Sequence, residues 1–317
     1  MPSEFDLIRR HFSPSLTHTL LGCGDDCALV VPSPGRQLAI TTDLLVEGTH
    51  FLPGTDAEAL GHKTLAVNLS DLAAMGAQPR WIFLALSLPV ADETWVAAFA
   101  RGLLALADRF GVDLAGGDTT RGPRTLCVTA IGEVVPGRAL RRDGAKLGDD
   151  VYVSGCTGEA AFGLQTCRET VAAAASDVAH CRQRLDRPDP RVALGLALAG
   201  VAHACIDVSD GLVADLGHVC EASGLGARLD WSCVPQSSAL SCCPPDARRR
   251  HVLSGGDDYE LIFTAPTAAR HEIAMRAAEA GTPVTRIGAM VMPPGVRVFD
   301  RDGRDITPGR GGFDHFG

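Results

Sequence analysis

The stretch Thr41-Thr-Asp-Leu-Leu-Val-Glu-Gly-Thr-His-Phe51 continues an apolar run that begins at Leu38. The run predicts a short β-strand, and we expect that strand to end in two hydroxyl groups and a carboxylate, those of Thr41, Thr42 and Asp43. Apolar strands of this kind commonly deliver polar side chains to a functional site at their ends. The stretch therefore predicts both a sheet and the position of a site on it.

The same pattern, a carboxylate beside glycine or a hydroxyl residue at the edge of an apolar run, recurs along the whole chain. The carboxylates are Asp26, Asp71, Asp118, Asp207, Asp210, Asp257 and Asp258. Mg²⁺ prefers oxygen ligands and keeps waters and substrate phosphates in its coordination shell. The repeated pattern therefore predicts a site for magnesium and a nucleotide.

Each of these motifs also has a plainer interpretation. Gly24-Asp-Asp26 is a common turn, and Gly116-Gly-Asp118 fits a hairpin turn. Asp71 could be a solvent-facing residue on the flank of a helix predicted over residues 58–75. Asp207 and Asp210 could simply cap the helix that follows them. One capping residue would be enough there, whereas three oxygen-bearing side chains lie within four residues.

Length and composition limit the class of protein. A chain of 317 residues predicts two domains, and a net charge of −9 with no long basic run argues against nucleic acid as the main partner. The eleven cysteines include no Cys-x-x-Cys pair, which is typical of reduced thiols in the cytosol. We find no apolar segment of bilayer length and no leader-like N-terminus, so we expect a cytoplasmic protein without membrane contact.

Periodicity predicts helices alternating with strands in both halves of the chain. The first half carries helices over residues 4–12, 58–75 and 92–111, strands over 81–88 and 125–135, and a loop at 116–121. Turns and positive charge between Arg138 and Lys146 suggest a domain boundary near residue 148. Arg142 in this segment could reach a phosphate, although a solvated basic loop is the default interpretation. In the second half, a helix should begin at Pro190 with Asp189 as its cap.

Several well-known nucleotide and hydrolase motifs are absent from the sequence. It contains no Gly-x-x-x-x-Gly-Lys-Ser/Thr loop, no Gly-x-Gly-x-x-Gly after a strand, no Gly-x-Ser-x-Gly elbow and no His-Glu-x-x-His. If the chain binds ATP, metals and scattered arginines must neutralise the phosphate charge.

Eight motifs in order resemble those of the thiamine-monophosphate kinase family. They are Gly24-Asp-Asp-Cys-Ala, Thr41 to Phe51 as quoted above, Val67-Asn-Leu-Ser-Asp-Leu-Ala-Ala-Met-Gly-Ala, Gly116-Gly-Asp-Thr-Thr-Arg-Gly-Pro, Arg187-Pro-Asp-Pro-Arg, Ile206-Asp-Val-Ser-Asp-Gly-Leu, Leu253-Ser-Gly-Gly-Asp-Asp-Tyr-Glu-Leu and Gly312-Phe-Asp-His-Phe. The family is related to aminoimidazole ribonucleotide synthetase and selenophosphate synthetase.

The resemblance implies an α+β protein of two α/β domains. Residues 1–147 would form an N-terminal domain that binds ATP and magnesium, and its mixed sheet would form a β-barrel with the sheet of a second copy, making a homodimer. Residues 148–317 would form a C-terminal α/β domain that completes the nucleotide and substrate site.

The resemblance also implies roles for individual residues. Several Mg²⁺ ions would be held by Asp26, Thr41, Thr42, Asp43, Asp71, Asp118, Asp207 and Asp210. ATP would be contacted by Phe110, Gly117, Asp118, Arg142 and Ser209. Thiamine monophosphate would be bound by His50, Asp257 and Phe313, where the family commonly has Glu in place of Asp257. Asp43, Asp118 and Asp210 would carry the catalysis.

The expected reaction is direct in-line transfer of the γ-phosphoryl group of ATP, the co-substrate, to thiamine monophosphate. Magnesium and Arg142 would offset the repulsion between the two anions. Two alternatives stay open: an enzyme with the same metal cluster and another acceptor, as in the synthetase relatives, and a catalytically silent nucleotide-binding protein.

Overall fold

The computed structural model describes residues 4–309 and residue 312. The chain divides into two compact units. The first unit comprises the described residues up to Leu72 together with Ala77–Gly137. The second unit comprises Ala73–Gly76 and the described residues from Arg138 onward. Mixed α/β content in both units agrees with the predicted fold class.

The first unit is built around a four-stranded mixed sheet. Its elements in chain order are α1 (Glu4–His11), β1 (Thr19–Leu21), β2 (Leu29–Val30), β3 (Gln37–Val46), α2 (Ala57–Ala74), β4 (Gln78–Leu88), α3 (Glu93–Phe110), β5 (Asp113–Arg121) and β6 (Thr125–Val134). The strand order is β3-β6-β4-β5, with β4 and β5 parallel and the other pairs antiparallel. Strands β1 and β2 form a separate two-stranded sheet.

Two expectations about strand ends are wrong. The strand that was expected to end at Asp43 runs on to Val46, because all ten residues of β3 pair with β6. The expected loop at 116–121 is the second half of β5, which pairs with β4 as far as Arg121. Glycine and aspartate have low strand propensity, and pairing with a neighbouring strand overrides that propensity here.

The two faces of β3 differ in burial. Leu45 is buried, whereas Leu38, Ile40 and Leu44 are 41%, 63% and 52% exposed. Successive side chains in a strand point to opposite faces, so the even-numbered residues of β3 form an apolar face that the first unit does not cover.

Helices α2 and α3 approach each other closely through two glycines. A Cβ added to Gly102 would lie 1.8 Å from the carbonyl oxygen of Glu58, and one added to Gly61 would lie 2.0 Å from the carbonyl oxygen of Phe99. The predicted N-cap of α3 is confirmed, since the Asp92 carboxylate accepts from the backbone N–H groups of Thr94 and Trp95.

The second unit is built around a six-stranded sheet with helices in the intervening segments. Its elements are β7 (Asp150–Ser154), α4 (Glu159–Arg168), α5 (Ala175–Asp186), α6 (Val192–Leu198), β8 (Ala204–Asp207), α7 (Leu212–Ser223), β9 (Gly226–Asp230), α8 (Pro245–Ser254), β10 (Leu261–Ala265), α9 (Arg270–Glu279), β11 (Val284–Val291) and β12 (Gly295–Phe299). The order is β12-β9-β11-β7-β10-β8, and only β12 and β9 pair in parallel.

The start of α6 differs from the prediction. The helix begins at Val192 rather than Pro190, and the Asp189 carboxylate accepts from the Arg191 side chain instead of capping the helix.

Within residues 4–309, none of the helices combines the length and the apolar character needed to cross a membrane.

We predict that Gly102→Ala destabilises the protein by about 2 kcal/mol, because the new methyl group would overlap the backbone of α2. Gly217→Ala in α7 is the matched control, since an added Cβ there meets no atom within 4 Å. The control should be neutral or slightly stabilising, because alanine favours helix. Thermal unfolding of both variants checks this, and equal melting temperatures would contradict the close packing of α2 against α3.

Candidate active site

The candidate site residues of the first unit are placed by the register of its sheet. Asp43 of β3 pairs with Val128 of β6, Val128 pairs with Leu84 of β4, and Leu84 pairs with Gly117 of β5. Asp43 and Gly117 therefore lie in one row across the sheet, about 14 Å apart at three strand spacings. Asp118 lies in the adjacent row.

A pair of carboxylates, Asp43 and Asp71, lies at the β3 end of this row. Burial, and to a smaller extent the nearby negative charge of Asp71, together raise the pKa of Asp43 to about 7. The Thr41 hydroxyl donates to the Asp71 carboxylate, and the backbone N–H of Asp43 donates to Asn68 Oδ1 at 3.2 Å. Two like charges therefore share a partly buried position, which favours a cation beside them.

Thr42 and His50, which lie on either side of Asp43 in the sequence, are held by other contacts. The Thr42 hydroxyl is hydrogen-bonded to the Thr129 hydroxyl at 2.9 Å, on the sheet face opposite to Thr41 and Asp43. His50 Nδ1 accepts from the backbone N–H of Val46 at 3.0 Å, so a neutral ring carries its proton on Nε2.

A cavity of about 1240 Å³ in the first unit brings together three other candidate residues. Asp26, Gly117 and Asp118 line it, together with residues of α1, the 22–28 loop and β4. Gly117 also has a packing role, because a Cβ there would lie 1.9 Å from the carbonyl oxygen of Leu84. Phe110, the last residue of α3, lies beside Arg109, whose guanidinium carbon is 5.0 Å from the centre of the Phe110 ring.

In the second unit, Asp207 is the last residue of β8, and the loop after it carries Ser209 and Asp210. The backbone N–H groups of Ser209, Asp210 and Gly211 all donate to Asp215 Oδ2, at 3.0–3.1 Å. Asp215 is 2% exposed, and burial raises its pKa to about 7. Sequence reasoning missed this residue. Its position could have been noticed in the sequence, because a carboxylate in the first turn of a helix can accept hydrogen bonds from the backbone N–H groups of the preceding loop.

The 255–260 loop lies against the loop that carries Ser209. The backbone N–H of Asp257 donates to the carbonyl oxygen of Ser209 at 2.8 Å. Asp257 has a φ of +67°, which is uncommon for a residue other than glycine, and its carboxylate accepts from the Tyr259 hydroxyl at 3.0 Å. Ser209 and Asp257 are therefore neighbours in the fold, although 48 positions separate them in the sequence.

Two buried carboxylates, Asp258 and Glu260, lie at the end of the 255–260 loop, and sequence reasoning assigned neither of them a role. Asp258 accepts from the backbone N–H of Gly158 at 2.7 Å, and Glu260 accepts from Arg184, Arg191 and Ser154. Both side chains are almost fully buried. Burial without partners would be costly, so these contacts fix the loop in place.

Arg142 and the C-terminal motif complete the candidate residues. Arg142 is exposed, and its carbonyl oxygen accepts from the Ser223 hydroxyl at 2.9 Å. Phe313 lies outside the described residues. The preceding Gly312 is described, and a Cβ added to it would lie 3.0 Å from the carbonyl oxygen of Asp210.

The donor set suits magnesium that arrives with a nucleotide. Over residues 4–309 and 312, no three His, Cys, Asp or Glu side chains lie close enough together to hold a metal ion by themselves. Mg²⁺ usually takes only one or two carboxylates from the protein and completes its shell with phosphates and water. The Asp43–Asp71 pair, whose charges repel each other, offers that number of ligands.

Comparisons with known proteins agree over nearly the whole chain. The model for the N-terminal domain of AIR synthase related proteins matches residues 24–134, and the model for their C-terminal domain matches residues 148–301. The thiamine-monophosphate kinase of Escherichia coli (strain K12) is 46% identical over 318 residues, covering 99% of this chain and 98% of the relative.

Two solved structures are similar to the fold described here. The crystal structure of thiamine-monophosphate kinase from Stenotrophomonas maltophilia K279a has a TM-score of 0.85 and 50% identity, covering 90% of this chain and 92% of that one. The structure of AaThiL complexed with AMPPCP and TMP has a TM-score of 0.80 and 30% identity, covering 98% and 96%.

We predict that Asp43→Asn stabilises the metal-free protein above pH 7 by about 3 kcal/mol. The pKa of Asp43 is higher in the folded state than in the unfolded state, so the wild type loses stability as pH rises from about 4 to about 7. The variant has no ionisable carboxyl group at this position, so it does not lose stability in this way as the pH rises. Denaturant unfolding with a chelator at pH 5 and pH 8 measures it, with the exposed Asp246→Asn as control. A variant as pH-sensitive as the wild type would contradict the assignment.

Proposed function

Because the chain belongs to the thiamine-monophosphate kinase family, we propose that it transfers the γ-phosphoryl group of ATP to thiamine monophosphate, giving thiamine diphosphate and ADP. The observation that carries the proposal is 46% identity to a curated kinase over 99% of the chain. The AaThiL structure with AMPPCP and TMP supports the two substrates, since that relative covers 98% of this chain.

We propose that transfer is direct and in line. The acceptor is already an anionic phosphate, so it needs little help from a general base, and the main obstacle is repulsion between two anions. Magnesium, several ions per site, would supply positive charge that offsets this repulsion when it is bound. The residues of the chain then have to position the two substrates and hold the cations.

In the first unit, the proposed cation ligands are Asp43 and Asp71, with the Thr41 hydroxyl oriented by its bond to Asp71. The raised pKa of Asp43 favours this role, because a cation would stabilise the ionised form that burial disfavours. Asp26 and Asp118 are further proposed metal residues of this unit, and Thr42, whose hydroxyl lies on the other face of the sheet, would contribute its carbonyl oxygen. Gly117 and Phe110 would contact ATP, and His50 would contact thiamine monophosphate.

In the second unit, Asp207 and Asp210 are the proposed metal residues, and Ser209 and Arg142 would contact ATP. The three N–H groups that bond Asp215 hold the Ser209–Asp210 segment rigid, so its side chains are positioned before substrate binds. Asp257, against Ser209, would contact thiamine monophosphate together with Phe313. Asp257 keeps the negative charge that a cationic thiazolium ring attracts.

We also propose a homodimer that forms through the apolar face of β3. Leu38, Ile40 and Leu44 are exposed there, beside Cys127 and Ile131 of β6. β3 is also an edge strand of ten residues, and long apolar edges are normally covered. A second copy of the sheet, as in the β-barrel predicted from the family, would cover both the face and the edge.

We propose the cytoplasm as the location of the protein. None of the eleven cysteines forms a disulfide in the described residues, which is typical of a reducing compartment.

We predict that ADP release requires both thiamine monophosphate and Mg²⁺, and that Asp43→Asn lowers kcat at least about 100-fold by weakening cation binding. A coupled ADP assay measures both effects, and Asp246→Asn on the surface of α8 should keep full activity. ADP release that depends on another acceptor would favour a synthetase-like enzyme, and no turnover would favour a silent nucleotide-binding protein. Label from γ-labelled ATP retained on the denatured protein would contradict direct transfer.

We predict that the double variant Ile40→Lys, Leu44→Lys is monomeric while the wild type is dimeric. Two charges on the apolar face of β3 would have to be buried in the interface without partners. Met275→Lys tests the same kind of substitution on α9, at a side chain that is 48% exposed, and should stay dimeric. Light scattering coupled to size exclusion gives the mass. A monomeric wild type, or a dimeric double variant, would overturn the proposed interface.

A further inference from the structure

The second unit contains a lysine, a histidine and an aspartate in series, apart from every residue proposed above for catalysis or binding. Lys146 Nζ lies 3.4 Å from His203 Nε2. On the other side of the ring, His203 Nδ1 lies 2.8 Å from Asp149 Oδ2 and 3.0 Å from Asp149 Oδ1. The series has the order of a nucleophile, a base and an orienting carboxylate.

Asp149 is fixed as the orienting group. It is 3% exposed, and its Oδ2 accepts from the backbone N–H of Lys146 at 2.9 Å and from the Thr264 hydroxyl at 3.4 Å. The backbone N–H of His203 donates to the carbonyl oxygen of Thr264 at 2.8 Å, which holds the histidine in register. A neutral His203 ring therefore donates its Nδ1–H to Asp149 and presents the Nε2 lone pair to Lys146.

Lys146 is unusual in this chain because lysine is rare. The sequence has 29 Lys and Arg residues, and only two of them, Lys63 and Lys146, are lysines. Lys63 is 3% exposed, whereas Lys146 is exposed. A surface contact of 3.4 Å adds little to stability. The only solvent-exposed lysine thus lies beside an oriented base, an arrangement that a purely structural role does not require.

We propose that Lys146 is an acyl-acceptor site that takes the acyl group of an activated donor, an acyl phosphate or an acyl thioester. The lone pair of the neutral Nζ attacks the carbonyl carbon, and a C–N bond forms. His203 Nε2 takes the proton that the attacking nitrogen loses. The bond from the carbonyl carbon to the phosphate oxygen or thioester sulfur then breaks, and the leaving group departs with the electron pair. The product is a neutral amide at Lys146.

The proposal predicts that folding accelerates the acylation of Lys146. The full-length protein is incubated with acetyl phosphate or, in a second arm, with acetyl coenzyme A. Peptide mass spectrometry then follows Lys146 and Lys63 separately. Lys146 should react about tenfold faster in the folded chain than in the urea-unfolded chain, because the base is in place only after folding. Lys63 should show the reverse, since burial protects it.

His203→Gln is the decisive variant. Its amide N–H can still donate to Asp149 and its amide oxygen can still accept from Lys146, but the amide is not a base at neutral pH. Acylation of Lys146 should fall to the rate of the unfolded chain while the melting temperature stays close to that of the wild type. An unchanged rate in this variant, or a wild-type rate no faster folded than unfolded with both donors, would overturn the proposal. Reaction with one donor alone identifies the source of the acyl group.

Discussion

The proposed site of the first unit depends on two carboxylates, Asp43 and Asp71, that lie near each other in a partly buried position. Burial raises the pKa of Asp43 to about 7, with a smaller contribution in the same direction from the negative charge of Asp71. A fold keeps such an arrangement only at a cost in stability. Stability alone would favour an amide at either position. The proposed cation site requires negative charge at this point of the sheet, which is consistent with the presence of both carboxylates.

The second unit holds its polar loops by the opposite means, with buried carboxylates that are fully partnered. Asp215 accepts three backbone N–H groups, and Glu260 binds two arginines and a serine. These groups carry no expected contact with substrate. They fix the loops that carry the proposed substrate contacts, and an uncommon backbone conformation at Asp257 persists because its neighbours are fixed.

Much of the fold could be predicted from the sequence, and candidates for the site could be named from it, for identifiable reasons. The helical spacing of Trp95, Phe99 and Leu103, together with the capping residue Asp92, correctly predicted α3. Such helix signals can be read from the sequence because they are local. The family resemblance, confirmed by the comparisons, supplied the candidate residues. Sequence reasoning missed the continuation of β3 beyond Asp43, the second half of β5 and the role of Asp215, since each depends on partners that no local pattern shows. The pairing of Asp257 with Ser209 is long-range in the same sense.

The most direct test of the account is the pKa of the Asp43 carboxyl group, followed by carbon NMR on selectively labelled protein with and without Mg²⁺ and a non-hydrolysable ATP analogue. We expect a pKa of about 7 in the metal-free protein. With metal and nucleotide bound, we expect a value below about 5, because a cation stabilises the carboxylate. An ordinary pKa in the metal-free protein, or one that the metal and nucleotide leave unchanged, would contradict the claim that this pair of carboxylates exists to hold a cation.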